Sequence, residues 1–199
     1  MSTTPTALMT ADELMQLPRG YYRAELINGE LVTMPLPKLP HARAATRLGG
    51  PLVQFVEDHD LGEAYIGDVG YQLTWNPDTV LGPDISFTSK QRLQEMGEVE
   101  GYGQGPPDLA VEVLSPGDRR GKVNKKISQW LGFGAKQLWI VDPKHRTVTI
   151  YRSESDTTTF SGSDYLESQD LIPGFRISLD RIFGPWSATV KESTLRQEK

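Results

Sequence analysis

The chain has 199 residues, a formal net charge of −5 and no cysteine. This composition excludes a globally basic nucleic-acid binder, so any phosphate binding needs a local cationic cluster or a metal ion. It also excludes disulfides, thiolate nucleophiles and metal sites built on cysteine. The length fits one domain, and no apolar run approaches the length of a membrane span. The first residues lack the basic and apolar regions of a leader peptide, so we expect a cytoplasmic protein.

The N-terminal third is predicted to contain a capped helix, a hairpin and a long interrupted helix. Thr10 and Glu13 form a capping-box pattern, which predicts a short helix. Asn28-Gly29 between two apolar runs predicts a tight hairpin, because both residues tolerate positive φ. Apolar residues at helical spacing predict a helix over about residues 42–58, and Gly49-Gly50-Pro51 predicts a kink or break within it.

The rest of the chain mixes predicted strands with short helices, and residues 97–107 separate its two halves. These residues contain four glycines and two prolines, which predicts a mobile surface loop at the rim of the site. The order of elements indicates an α/β fold with a mixed central sheet flanked by helices. We expect one domain over residues 11–187, with flexible tails at 1–10 and 188–199. Strands are predicted at residues 64–74, 83–87, 108–114, 138–141 and 147–151, and helices at 89–96, 123–132 and 179–183.

Glu112 is the first residue that the pattern marks as unusual. It lies inside the predicted strand 108–114, whose neighbours are apolar on both faces. A buried carboxylate is costly, and it normally shifts its pKa, pairs with a cation or binds a metal. A structural ion pair and a functional acid are both compatible with this pattern.

Three further charged residues are predicted to point inward near Glu112. Asp84 begins the predicted strand 83–87, and two inward carboxylates on neighbouring strands could hold a hard cation such as Mg²⁺. Glu25 faces inward from the first strand of the hairpin. Lys126 lies at the border of the apolar face of helix 123–132, where it either covers apolar surface or reaches the acids.

A cluster of cations lies at the start of that helix. In an acidic chain it is the one local patch suited to phosphate, although an ordinary solvated helix start has the same pattern. The cluster consists of Arg119, Arg120, Lys122, Lys125 and Lys126.

Four other titratable residues are interpreted as parts of the local structure and not of a functional site. His41 is predicted to be a solvent-exposed residue at a helix start, because it follows Pro40. Asp68, Asp142 and His145 are predicted to be residues of turns or strand ends.

Several segments, spread over about residues 10–185, resemble those of the Uma-family restriction endonuclease-like proteins of the PD-(D/E)XK nuclease superfamily. The most specific are 107–116 (PDLAVEVLSP) and 138–143 (LWIVDP); the others are 25–30 (ELINGE), His41 with the prolines before it, Pro83-Asp84 and Lys126.

The resemblance implies a restriction endonuclease-like core that hydrolyses phosphodiester bonds. It implies that Asp84 and Glu112, with the Val113 carbonyl, hold Mg²⁺ or Mn²⁺, and that Glu25 is a third acid. It implies that Lys126 is the catalytic lysine, moved to the following helix, where it orients or activates water. The implied partner is nucleic acid, with DNA preferred and the cationic cluster as its contact, and the implied assembly is a homodimer.

Two departures from the family pattern keep other functions open. Leu114 stands where the superfamily usually has its lysine, and Lys122 stands where relatives often carry an aspartate. Both departures favour a nuclease-fold binding or regulatory protein without catalysis. A glycoside hydrolase that uses Glu112 and Glu25 is a further alternative, and it would retain activity in the presence of a chelator.

Overall fold

A computed structural model describes residues 8–18 and 23–184 of the chain. Its helices are α1 Ala11–Met15, α2 Leu39–Asp58, α3 Lys90–Met96, α4 Arg120–Gly132 and α5 Leu179–Phe183. Its strands are β1 Arg23–Ile27, β2 Glu30–Met34, β3 Gly62–Ile66, β4 Tyr71–Thr74, β5 Thr79–Leu81, β6 Ile85–Ser89, β7 Gly103–Gln104, β8 Leu109–Val113, β9 Gln137–Asp142, β10 Thr147–Tyr151, β11 Thr157–Phe160, β12 Tyr165–Ser168 and β13 Ile172–Ser178. Within these residues, no helix combines the length and hydropathy that crossing a lipid bilayer requires.

A six-stranded sheet forms the centre of the fold, in the order β11-β10-β9-β8-β6-β3. β8 pairs antiparallel with β6 and parallel with β9, so the sheet is mixed. A parallel pair needs a long crossover, and α4 supplies it between β8 and β9. The predicted α/β class with a mixed, helix-flanked sheet is therefore confirmed. Two smaller sheets accompany it, in the orders β2-β1-β5-β4-β7 and β12-β13.

The two faces of β8 pack against different helices. Leu109, Val111 and Val113 belong to a core cluster that includes Leu48 and Leu52 of α2. Ala110 belongs to a second cluster, with Ile127 and Trp130 of α4. Side chains alternate along a strand, so Glu112 shares the α4 face with Ala110. The alternation of residues 109–113 thus determines which helix the buried carboxylate meets.

Of the kink or break predicted in α2, the break is wrong. The helix runs through Gly49-Gly50-Pro51 as one element of 20 residues. A Cβ on Gly49 would lie 2.7 Å from Cγ1 of Ile66, so glycine is what allows the helix to approach β3 closely. A proline inside a helix costs about 3 kcal/mol. Full burial of Leu48 and Leu52 on the sheet stabilises by about 1.5–3 kcal/mol per side chain and offsets that cost.

The predicted strand 64–74 is also wrong, because it is two strands in different sheets. β3 belongs to the six-stranded sheet and β4 to the five-stranded sheet. Gly67 between them adopts φ 91°, a conformation that interrupts a strand and that glycine tolerates. The chain passes from one sheet to the other at this point.

Residues 97–107 form a loop as predicted, except for two residues that pair as a strand. Gly103–Gln104 forms β7, parallel to β4, with Gly103 opposite Tyr71. A Cβ on Gly103 would lie 2.7 Å from the Tyr71 ring, so the glycine that predicted a loop instead permits close strand pairing. Within the described residues, this segment contributes nothing to the wall of the cavity that contains Asp84 and Glu112.

The local signals near the N-terminus and at α3 are confirmed. Thr10 and Glu13 form both hydrogen bonds of the capping box, and Ser89 caps α3 by accepting from the Arg92 amide. Asn28 and Gly29 both have positive φ in the β1–β2 turn. The predicted tail 188–199 and residues 1–7 of the other tail lie outside the described residues.

Candidate active site

Asp84 lies immediately before β6 and is fixed to the end of β8. Its Oδ2 accepts the backbone N–H of Val113 at 2.7 Å, and the residue is only 5% exposed. In the β6–β8 pairing, Ile85 is opposite Val111, so Asp84 reaches the neighbourhood of Glu112 on the adjacent strand. The sequence prediction that the two acids approach each other from separate strands agrees with this pairing.

Two basic side chains flank Asp84. Arg23 of β1 donates to its Oδ1 at 3.2 Å, and His41 Nε2 lies 3.2 Å from its Oδ2. Burial raises the pKa of Asp84. Its polar neighbours outweigh burial and lower the pKa below its ordinary value. They act through the hydrogen bond and charge of His41, the Val113 N–H and the charge of Arg23. Asp84 is therefore an ionised carboxylate at neutral pH.

Glu112 receives two donors from α4. Trp130 donates its indole N–H to Oε1 at 2.9 Å, and Lys126 donates its ammonium to Oε2 at 2.5 Å. The donors are four residues apart, so they lie on one face of the helix and meet the same carboxylate. Glu112 is 3% exposed, and both of its oxygens are satisfied by this pair.

Lys126 contacts Glu112 and also feels the charges of Glu25 and Asp84. Its side chain is 23% exposed, and burial lowers its pKa. The charges of Glu112, Glu25 and Asp84 more than offset burial and raise the pKa above its ordinary value, so the ammonium stays protonated at neutral pH. Its neighbour Lys125 is exposed. The predicted inward position of Lys126, on the same side of the sheet as Glu112, is confirmed.

Glu25 approaches the same group of charges from the second sheet. It is buried in β1, and its Oε1 accepts the Gly82 N–H at 3.1 Å. Burial raises its pKa, Lys126 lowers it and Glu112 raises it, with a net increase. Glu25 lines a cavity of about 210 Å³ beside the one that contains Asp84 and Glu112. It is therefore electrostatically coupled to the acid pair from an adjoining compartment.

The cavity of the acid pair has a volume of about 340 Å³, and we call it the acid cavity. Its wall includes Arg23, His41, Asp84, Glu112, Val113, Lys122 and Lys126. In the described part of the chain, no three His, Asp or Glu side chains are grouped to hold a metal ion. Two carboxylates and a backbone carbonyl nevertheless fit Mg²⁺, which commonly takes one or two carboxylates and completes its shell with water and substrate phosphate. The donor set thus fits a substrate-assisted cation site.

The predicted cationic cluster is divided by the structure. Lys122 and Lys126 line the acid cavity, and Lys122 also pairs with Asp118 at 3.0 Å. Arg119, Arg120 and Lys125 are exposed at the start of α4, away from the cavity wall.

His41 is the clearest correction at the site. It is 7% exposed and bound to Asp84, whereas the sequence interpretation placed it in solvent. The signal was present, since His41, Ala44, Ala45 and Leu48 follow the i, i+3, i+4, i+7 spacing of the buried face of α2.

Arg23 and Trp130 were also missed as site residues. Arg23 lies two residues before the inward Glu25 in β1 and therefore shares its face of the strand, and a buried tryptophan needs an acceptor for its N–H. Asp68, predicted to be a turn residue, pairs with Arg23. Asp142 and His145 pair with each other at the β9–β10 turn, as their predicted turn position suggests.

Comparisons with known proteins identify the family of the chain and a solved structure with a similar fold. The family model described as "Putative restriction endonuclease" (Uma2) matches residues 11–180. The chain belongs to the Uma2 family. The chain is also similar to a protein from Anabaena variabilis ATCC 29413, whose crystal structure is described as that of a putative nuclease belonging to DUF820. The TM-score is 0.72, with 24% identity, over 88% of this chain and 97% of that one. No curated protein matches the chain.

The departures of this Uma2 chain from the usual nuclease pattern have a structural explanation. Leu114 packs with the cluster beneath α4 and carries no charge to the site. Lys126 contacts Glu112 from α4, so an ammonium reaches the carboxylate by a different route. Lys122, where the family resemblance led us to expect an aspartate, pairs with Asp118 four residues earlier.

Proposed function

We propose that this Uma2 chain is a metal-dependent nuclease that hydrolyses phosphodiester bonds, with DNA as the preferred substrate. The observation that carries the proposal is the Lys126–Glu112 contact at 2.5 Å, in a cavity that Asp84 also lines. An ammonium beside two buried carboxylates is suited to a phosphate that arrives together with a cation. Family membership supports the same class of reaction.

Asp84 and Glu112, with the Val113 carbonyl, would hold Mg²⁺ or Mn²⁺. Such a cation supplies polarisation of the scissile phosphate and acidification of a water molecule. Lys126 is protonated, so it acts as a donor that orients water and offsets the negative charge developing on the phosphate. Arg23 and His41 keep Asp84 ionised and oriented. Glu25, when ionised, would add negative charge next to the cation site from the adjoining cavity.

A second candidate is a nuclease-fold protein that binds nucleic acid without cutting it. The observation that favours it is that both oxygens of Asp84 and both of Glu112 already accept from protein donors. A cation would have to use the remaining lone pairs of these oxygens. The glycoside hydrolase alternative is less well supported, because Glu25 and Glu112 line different cavities.

The deciding experiment is cleavage of plasmid DNA and of labelled DNA and RNA strands, with Mg²⁺, with Mn²⁺ and with EDTA. We expect cleavage with either metal and none with EDTA. Asp84→Asn and Glu112→Gln should abolish it, while Asp60→Asn and Glu98→Gln, which change exposed acids, should retain it.

Metal binding is measured independently of activity. We expect Mn²⁺ to raise the melting temperature of the wild type and not that of Glu112→Gln. DNA binding without cleavage under any metal would instead establish the second candidate. Cytoplasmic location and a homodimer stay predictions, and sedimentation of the purified chain tests the latter.

A further inference from the structure

A second cavity continues from the acid cavity toward the β9–β10 turn. It has a volume of about 380 Å³, and the two cavities have Lys38, His41, Ser115, Pro116 and Asp118 in common. We call the second cavity the side groove. Residues 114–116, directly after β8, border it along with the turn at residues 142–145. A strand that reached the acid pair would therefore meet an open path leading away from it.

Two exposed lysines border the side groove from different elements. Lys38 lies immediately before α2, and Lys144 lies in the β9–β10 turn. Within residues 8–18 and 23–184, neither ammonium forms an ion pair with a carboxylate. Both are thus available to a negatively charged ligand.

The acids of the side groove already have hydrogen-bond partners within the protein. Asp118 accepts from the Ser115 amide at 2.8 Å and from Lys122 at 3.0 Å. Asp142 accepts from the amides of Lys144 and His145 and from the His145 ring at 2.6 Å. Lys38 and Lys144, by contrast, border the groove without a carboxylate partner among the described residues.

We propose that the side groove carries the phosphodiester backbone of the substrate strand next to the scissile phosphate, with Lys38 and Lys144 as phosphate contacts. This inference rests on the proposed nuclease function. Lysine commonly contacts phosphate oxygens, and such contacts position a strand without reading its sequence. The exposed residues Arg119, Arg120 and Lys125, which the sequence suggested, then lie off the path.

The test measures binding of labelled DNA and RNA, single-stranded and duplex, by fluorescence anisotropy over a salt series with Ca²⁺ in place of Mg²⁺. Lys38→Gln and Lys144→Gln remove the proposed contacts. Lys90→Gln is the matched control, since it removes an exposed charge that pairs with Asp60. The double variant Arg119→Gln/Arg120→Gln tests the competing path.

We expect each groove variant to make the slope of log Kd against log salt shallower, by about 0.9 on duplex and about 0.7 on a single strand. In cleavage assays each should raise KM and leave kcat unchanged, as loss of uniform binding does. An effect on DNA only, RNA only or both supports the groove and identifies the strand it carries.

The outcomes separate the inference from the function on which it rests. If the wild type cleaves but the groove variants match Lys90→Gln, the groove is not the path and the nuclease proposal stands. The same conclusion follows if only the Arg119/Arg120 variant changes the salt slope. If the wild type neither binds nor cleaves any of the nucleic acids, both proposals are overturned.

Discussion

Trp130 donates its indole N–H to Oε1 of Glu112 at 2.9 Å, and so fixes the carboxylate that Lys126 contacts on its other oxygen. Trp130 is fully buried, as is Trp139, which donates in the same way to Gln137 at 2.9 Å. The described residues therefore include two buried indole hydrogen bonds of the same length, one to the proposed site and one on the opposite face of the sheet.

Trp130→Phe should lower both stability and cleavage. A hydrogen bond to a charged group contributes about 1.5–3 kcal/mol, and its loss also lets Glu112 rotate away from the cation site. Trp139→Phe causes the same loss of buried ring volume, but its hydrogen bond to a neutral amide contributes only about 1 kcal/mol, and cleavage should be unchanged. Urea unfolding and plasmid cleavage measure the two effects. An equal loss of cleavage in both variants would show that Trp130 acts only through stability.

Lys126→Met should separate catalysis from stability. It leaves the buried Glu112 carboxylate without its cation, which costs about 3 kcal/mol or more at neutral pH. Cleavage should fall by about 10²-fold or more, the effect of losing one donor to a developing negative charge. The double variant Glu112→Gln/Lys126→Met should recover stability without recovering cleavage. Lys90→Met is the control, and substantial cleavage by Lys126→Met would exclude a catalytic role.

The stability that Asp84 contributes should depend on pH. Its pKa in the folded protein is below its unfolded value of about 3.9, so its contribution is present above that pH and is lost as pH falls through the folded-state pKa. Asp84→Asn should cost about 3 kcal/mol at pH 7, and the difference from wild type should narrow below about pH 4. Urea unfolding across this range measures it. Asp60→Asn, at an exposed ion pair, should change stability little at any pH. A pH-independent difference for Asp84→Asn would contradict the assigned shift.

Glu25 should behave in the opposite way. Its pKa is raised, so the stability linked to its protonated form is present below its unfolded pKa of about 4.3 and is lost as pH rises through the folded-state pKa. Glu25→Gln keeps an acceptor for the Gly82 N–H and does not titrate. The variant should therefore become more stable than wild type as pH rises, while its cleavage falls. Glu30→Gln, at an exposed position of the same hairpin, should show neither trend.

Local signals predicted those parts of the fold whose cause lies within a few residues. The Asn28-Gly29 turn, the Thr10 cap and the alternation around Glu112 depend on adjacent backbone and were predicted correctly. The change of sheet at Gly67 and the pairing of Gly103 with Tyr71 depend on distant partners, and the sequence interpretation missed both. Tertiary packing overrode the local signal at Gly49-Gly50-Pro51.

The residues of the candidate site also divide into those with a local sequence signal and those that depend on distant partners. Asp84, Glu112, Glu25 and Lys126 could be proposed because each is a charged side chain in an apolar pattern. The donors that hold them are harder to assign, since the partners are far apart along the chain. Trp130 and Glu112 are 18 residues apart, and Arg23 and Asp84 are 61 residues apart. His41 could have been assigned, because its helical spacing already placed it on the buried face of α2, although the sequence interpretation placed it in solvent.

The hydrogen bond from the Val113 amide to Asp84 makes formation of the site depend on the register of two strands. It joins residues 29 positions apart and requires β6 and β8 to be in their native register. A slip of one residue would turn Glu112 toward α2 and remove Val113 from Asp84. A sheet in the wrong register therefore lacks the acid pair, and the pair forms only where β6 and β8 are aligned as in the native fold. The specific activity of a preparation would then count its correctly folded molecules.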